Sequence, residues 1–186
     1  PKDVLAANNK WKFNIKMPKY QYNKGELYNL SITKGTLNTE ERYKVNEHII
    51  QTIMMLDALK FPKNLSCVQE IAGGHHEKMD GTGYPKRLKR EEMSVSARMM
   101  AIADVFEALT ASDRPYKKAK KLSESIKIMS FMKKDQHIDG PLFDLFLRSG
   151  IYLTYARVHL SPDQIDFVDI EMYLSESVKE KAVAVN

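Results

Sequence analysis

The sequence predicts an all-α protein, a bundle of about five to seven helices. Three observations predict it. Apolar residues recur at one-turn spacing in several segments, capping and stop residues bracket those segments, and no stretch alternates apolar and polar residues as a half-buried strand does.

The first readable helix begins after Leu37. Asn38 is followed by Thr39-Glu40-Glu41, a capping residue with Glu three positions on. Val45, Ile49, Ile53 and Leu56 then form a stripe that Ile50 and Met54 widen. This helix is expected over residues 39–59, where Phe61-Pro62 stops it. A second helix is expected to start at Asn64 with Leu65, Val68, Ile71 and Ala72 facing inward. Gly73 and Gly74 weaken its end just before His75-His76. Residues 79–92 read as a loop, because Asp80-Gly81-Thr82-Gly83-Tyr84-Pro85 is dense in turn formers.

A third helix, residues 94–110, is expected to direct Met99, Ile102, Phe106 and Leu109 inward. Ser123 is expected to cap a fourth that runs to Met132. Pro141 suits the first turn of a fifth, with Leu142, Leu145, Phe146 and Ile151 on its apolar side. The resulting division is a lead-in or connector over 1–36, a helical domain over 37–160 and a docked or fraying tail over 161–186.

Composition narrows the function classes. A chain of 186 residues, 43% hydrophobic, can bury one real core, so disorder throughout is not expected. No apolar run approaches the roughly 18 residues of a membrane span, and the N-terminus has no secretory signal. Cys67 is the only cysteine, which excludes an intramolecular disulfide and fits a reducing, cytoplasmic setting. Its apolar neighbourhood predicts a buried thiol. The net charge of +5 suits an anionic ligand. Lys and Arg are interleaved with Asp and Glu, however, and the aromatics Trp11, Phe13, Tyr20 and Tyr22 form no repeat, so nucleic acid is not the expected partner. Those aromatics are expected to pack on the body. The chain begins at Pro1 without Met, as a processed product or a piece of a longer protein would.

The residue types that carry chemistry are His48, His75, His76 and Asp104. Imidazole and carboxylate are ligands for Mn, Fe, Zn or Ni. His48 flanks the first stripe and points at the edge of the core. His75 and His76 are neighbours, so on a regular helix their side chains diverge by about 100°. Asp104 lies inside an apolar helix, where a carboxylate is costly unless a cation or several donors meet it. Spacing leaves two readings open: a metal site, or helix-surface histidines together with an ion pair from Asp104 to Arg98 or Arg114. His137 and His159 lack such company and read as surface or locally hydrogen-bonded groups.

The stretch His75-His76-Glu77-Lys78-Met79-Asp80-Gly81-Thr82-Gly83-Tyr84-Pro85 resembles the signature of the HD-GYP family. Ala101-Ile102-Ala103-Asp104-Val105-Phe106-Glu107-Ala108-Leu109-Thr110, with Asp113-Arg114-Pro115-Tyr116 after it, is similar to the family's next block. Gly35-Thr36-Leu37, Glu40-Glu41 and His48 match the segment leading to another metal histidine. Three motifs in order are more specific than any one of them.

The resemblance implies an HD-domain-like helical bundle in bacterial signal transduction. It implies a phosphohydrolase holding two or three metal ions, iron or manganese, that converts cyclic di-GMP to linear pGpG or GMP. By motif match, His48, His75, His76 and Asp104 are its metal ligands, and Tyr84, Arg114 and Lys117 face the substrate. No catalytic acid or base is assigned. The implied partners are the cyclic dinucleotide and a diguanylate cyclase of the GGDEF type meeting the Gly83-Tyr84-Pro85 loop. A homodimer is a further expectation, formed through an apolar face left uncovered.

One departure matters. The family's adjacent His-Asp pair is absent from all 186 residues. The expectation drawn from this is that the pair lies upstream of Pro1 in a longer protein. The alternative is a degenerate domain that binds cyclic di-GMP or a partner protein without turnover.

Overall fold

The computed structural model describes residues 9–32, 35, 37–112 and 119–175. These contain seven α-helices: α1 Glu26–Leu30, α2 Thr39–Ala58, α3 Val68–Gly74, α4 Val95–Thr110, α5 Leu122–Lys134, α6 Gly140–Arg148 and α7 Ile151–His159. Among the described residues there is no strand, only an isolated bridge between Asp80 and Lys89, and no helix is long and apolar enough to cross a membrane.

Helix α2 starts where the sequence says it should. The Asn38 side chain accepts from the Glu41 N–H at 2.8 Å while Glu41 accepts from the Asn38 N–H at 2.9 Å, so two orphan donors are satisfied reciprocally. Ser94 caps α4 by accepting from the Ala97 N–H. Asp139 caps α6 ahead of Pro141.

Two glycines make the α2–α3–α4 packing close. They are the last two residues of α3, at the end the sequence expects, and both are buried. A Cβ on Gly73 would sit 2.8 Å from Cγ1 of Ile53 in α2, and one on Gly74 would sit 3.1 Å from Cβ of Ala97 in α4. Helix α3 is thus pressed between its neighbours with backbone as the contact surface. Ile49, Ile50 and Ile53 of α2 are buried with Phe13 of the lead-in, and Trp11 packs beside them. The larger core joins α4, α5, α6 and α7 through Ile102, Phe106, Ile126, Met129, Phe143, Leu147 and Ala156.

The segment after α7 is docked along part of its length. The Gln164 amide donates to the carbonyls of Thr110 and Lys120. Lys133 pairs with Asp144 at 2.6 Å and donates to the Tyr173 carbonyl.

Several expectations are corrected. Helix α3 does not start at Asn64; a 3-10 turn over Lys63–Leu65 comes first, and Leu65 is exposed. Val45 is exposed because Phe13 and α3 cover only the stripe from Ile49 onward. Ser123 is not a cap, since Leu122 is already helical. Asp166 serves α5 instead, accepting from the Ser123 N–H and hydroxyl at 2.8 and 2.6 Å. Gly150 takes a left-handed φ of +70° and splits α6 from α7, so Ile151 begins a separate helix. Met99, Leu145 and Ile151 are exposed; with Ile102, Leu142 and Phe146 they line an apolar groove of about 310 Å³. Cys67 is exposed too; it stands at the N-cap position, before the first turn of α3.

Candidate metal centre

Three of the histidines singled out in the sequence meet. His48 comes from the middle of α2; His75 and His76 follow Gly74, the last residue of α3. One ligand nitrogen from each lies within 4.8 Å of the others. The close α2–α3 packing through Gly73 brings them there. The neighbouring pair does not splay apart: the His75 and His76 rings are 4.1 Å apart between centroids.

The tautomers follow from the partners. Nδ1 of His48 lies 2.6 Å from the Val45 carbonyl, and Nδ1 of His75 lies 2.7 Å from the Ala72 carbonyl. A carbonyl only accepts, so both Nδ1 atoms carry a proton, and in the neutral ring the lone pair then falls on Nε2. This is the outer-shell arrangement that orients ligating histidines. Nε2 of His76 faces Nε2 of His48 at 3.1 Å. Neighbouring donors on one ion with bonds of about 2.0–2.1 Å are about 3–3.4 Å apart, so that spacing suits a shared cation. The donor set therefore fits a divalent transition metal, with coordination positions left for other ligands.

Electrostatics agree. The pKa of His76 is pushed down to about 4, chiefly by burial and then by electrostatic repulsion of its charged form by the neighbouring His75 and His48. At neutral pH it is an uncharged imidazole, the form that ligates. Asp104, half-buried on α4, lies outside the three-histidine group. Its charge nevertheless reaches the site: it opposes the lowering at His76, and with burial as the larger cause it raises the pKa of the Tyr84 hydroxyl.

Tyr84 stacks on His76, with centroids 4.9 Å apart and planes 25° from parallel. The Tyr84 N–H donates to the His76 carbonyl at 3.2 Å. Gly83 permits this approach, because a Cβ there would lie 2.4 Å from the Lys78 nitrogen. Arg114 and Lys117 lie outside the described residues. His137 and His159 are not in the cluster; His159 packs on Tyr155. Arg98 does not pair with Asp104. Its guanidinium bonds Asp139, which Arg90 also meets at 2.8 Å.

Sequence reasoning missed Glu77. It is 1% exposed, and its carboxylate accepts from the main-chain N–H groups of Lys86 and Leu88 at 2.7 and 2.9 Å. Burial raises its pKa more than those donors lower it. Nothing in the residue type announces this, since Glu is usually solvated.

The comparisons with known proteins point the same way. A family model described as an HD domain matches residues 2–142. A cyclic di-GMP phosphodiesterase of Pseudomonas aeruginosa is 41% identical over 102 residues, 54% of this chain and 24% of its own. The 3'3'-cGAMP-specific phosphodiesterase 1 of Vibrio cholerae is 33% identical over 130 residues, 70% of this chain and 29% of its own. A cyclic di-GMP phosphodiesterase of Thermotoga maritima is 39% identical over 93 residues, 50% of this chain and 25% of its own. The chain thus spans between 24% and 29% of the length of these curated relatives. With the histidine cluster and the Gly83-Tyr84-Pro85 loop in place beside that match, the chain belongs to the HD-domain family, in its HD-GYP group.

Proposed function

We propose that this chain is a metal-dependent phosphodiesterase domain acting on cyclic di-GMP, with pGpG or GMP as product, in the bacterial cytoplasm. The observation that carries the reading is the meeting of His48, His75 and His76 under Tyr84, joined to relatives whose names say they cleave cyclic dinucleotides. His48, His75 and His76 would hold iron or manganese, with Asp104 completing the set from α4. A divalent ion held there supplies Lewis acidity toward a phosphate oxygen and makes a coordinated water acidic.

The protein's own residues do the rest. The Val45 and Ala72 carbonyls hold the His48 and His75 rings in place through their Nδ1 atoms. Tyr84, its hydroxyl pKa raised by burial, stays protonated at neutral pH and can donate to a phosphate oxygen. Arg114 and Lys117 would add cationic contacts to the same anion. The loop around Tyr84 would also meet a GGDEF-type cyclase, and the apolar groove at Met99, Leu145 and Ile151 is where a homodimer would form.

A second reading is favoured by a specific observation: no His-Asp dipeptide occurs within the matched stretch, residues 2–142, or elsewhere in the chain. Under it the domain binds a cyclic dinucleotide without turnover. The test measures bound metal, binding of cyclic di-GMP by calorimetry, and product by chromatography with added manganese or iron, beside His76→Ala. Turnover that disappears in the variant supports the phosphodiesterase. Binding without product supports the second reading, and neither binding nor product rules out both.

A further inference from the structure

We propose that Glu77 is a positioning residue: its buried carboxylate gathers residues 86–88 and so fixes the Tyr84 ring against His76. Three features of the loop carry this. First, the carboxylate is met by main chain rather than by a cation. The N–H groups of Lys86 and Leu88 donate to its two oxygens at 2.7 and 2.9 Å, and the Arg87 N–H acts on it as well. Consecutive N–H groups converging on one anion form a nest.

Second, Arg87 adopts a left-handed φ of +59°, a region that residues with side chains rarely occupy. That conformation lets its N–H join those of its neighbours on the carboxylate. The loop therefore holds an uncommon backbone shape around Glu77, and a carboxylate buried this deeply needs those donors in return.

Third, both ends of the nest belong to the site. Glu77 directly follows His76, and Lys86 follows Tyr84 by two residues. Locking 77 to 86–88 closes a short ring of chain that contains Tyr84 and starts directly after His76. Beside it, the Tyr84 N–H donates to the His76 carbonyl and the Asn14 N–H donates to the Pro85 carbonyl at 2.7 Å. The consequence for metal binding rests on His76 being a ligand; the positioning does not.

The experiment uses the metal-free full chain and reads the His76 ring protons by NMR. They sit in the ring current of Tyr84, at the 4.9 Å centroid distance. Tyr84→Leu defines the shift change when that ring is lost. Glu77→Gln, whose amide offers N–H where an acceptor is needed, should reproduce most of that change. Glu77→Asp keeps the charge one methylene short and should fall between. The His159 ring, packed on Tyr155 at 4.6 Å, should stay at its wild-type shifts. Phe143→Leu, a core truncation far along the chain, should leave the His76 shifts unchanged, which separates positioning from general loss of stability.

A folded Glu77→Gln protein with wild-type His76 shifts would overturn the proposal. If that variant does not fold, Glu77→Asp decides: displaced Lys86 and Leu88 amide resonances with an unmoved His76 ring would also overturn it. Manganese titration of the same variants is a separate arm. Affinity should fall roughly 10–100-fold, as when an outer-shell partner of a ligand is removed. Wild-type protein that binds no manganese, while the His76 shifts behave as stated, would remove the metal reading and leave the positioning role standing.

Discussion

His48 and His76 are 28 residues apart in the chain, yet their Nε2 atoms face each other at 3.1 Å. In the metal-free protein the His48 Nδ1 proton is committed to Val45, so His76 donates into the His48 lone pair. A cation can take the place of that one proton without moving either helix. The relationship depends on how closely α3 approaches α2, and that approach depends on residues with no chemistry of their own.

Gly73→Ala tests this dependence. Its new Cβ would press on the buried Ile53 at 2.8 Å, so α3 must shift from α2. The expected loss is about 1–3 kcal/mol for overpacking, partly offset by about 1 kcal/mol of helix propensity gained. Gly83→Ala should cost more, because its Cβ would meet main-chain atoms of Glu77 and Lys78 at 2.4–2.6 Å, and backbone cannot rotate away. Urea denaturation of both variants checks the order; an equal or reversed order would contradict the packing described.

The pH dependence has a definite sign. The His76 pKa falls from 6.5 in the unfolded chain to about 4 in the fold. Between those values the unfolded chain binds more protons, so stability from this group rises with pH across the window and is flat above it. Glu77, with its pKa raised by burial, acts in the opposite sense. The clean observable is therefore the difference between metal-free wild type and His76→Gln. Wild type should lose stability relative to the variant as pH drops from 6.5 toward 4. A difference independent of pH would mean that His76 is not held neutral by its surroundings.

Much of the helical plan was legible. Asn38 with Glu41 and Ser94 announced two starts, and Pro141 marked a third. What local patterns could not supply was identity of neighbours. Asp166 serves the first turn of α5 from 43 residues away, so Ser123 looked like the cap. Met99 and Leu145 have the spacing of core residues but line an open groove. At the site the ligand types were legible and their meeting was not, because convergence came from the contact of two glycines with Ile53 and Ala97. Glu77 was invisible because its partners are backbone N–H groups, which every sequence has.

Asp139 joins two such long-range relations. It caps α6 through the Leu142 N–H at 3.1 Å and pairs with Arg90 and Arg98, with its side chain fully buried. Burial works to raise its pKa, but the Leu142 N–H and the two guanidinium groups outweigh it and the pKa is lowered. The stability it contributes is complete above the unfolded value of 3.8 and is lost as pH falls through the lower folded value. Asp139→Ala leaves Arg98 facing an empty position and should destabilise by about 3–5 kcal/mol. Thermal unfolding at neutral pH checks this, and a change under about 1 kcal/mol would contradict it.

The central claim is that His48, His75 and His76 form a cation site. Anomalous diffraction from crystals grown with manganese tests it most directly. The expected result is a peak about 2 Å from Nε2 of His48 and Nε2 of His76, with His75 within coordination reach. The claim is contradicted if no peak lies among these imidazoles, or if their rings point apart toward ordinary protein neighbours.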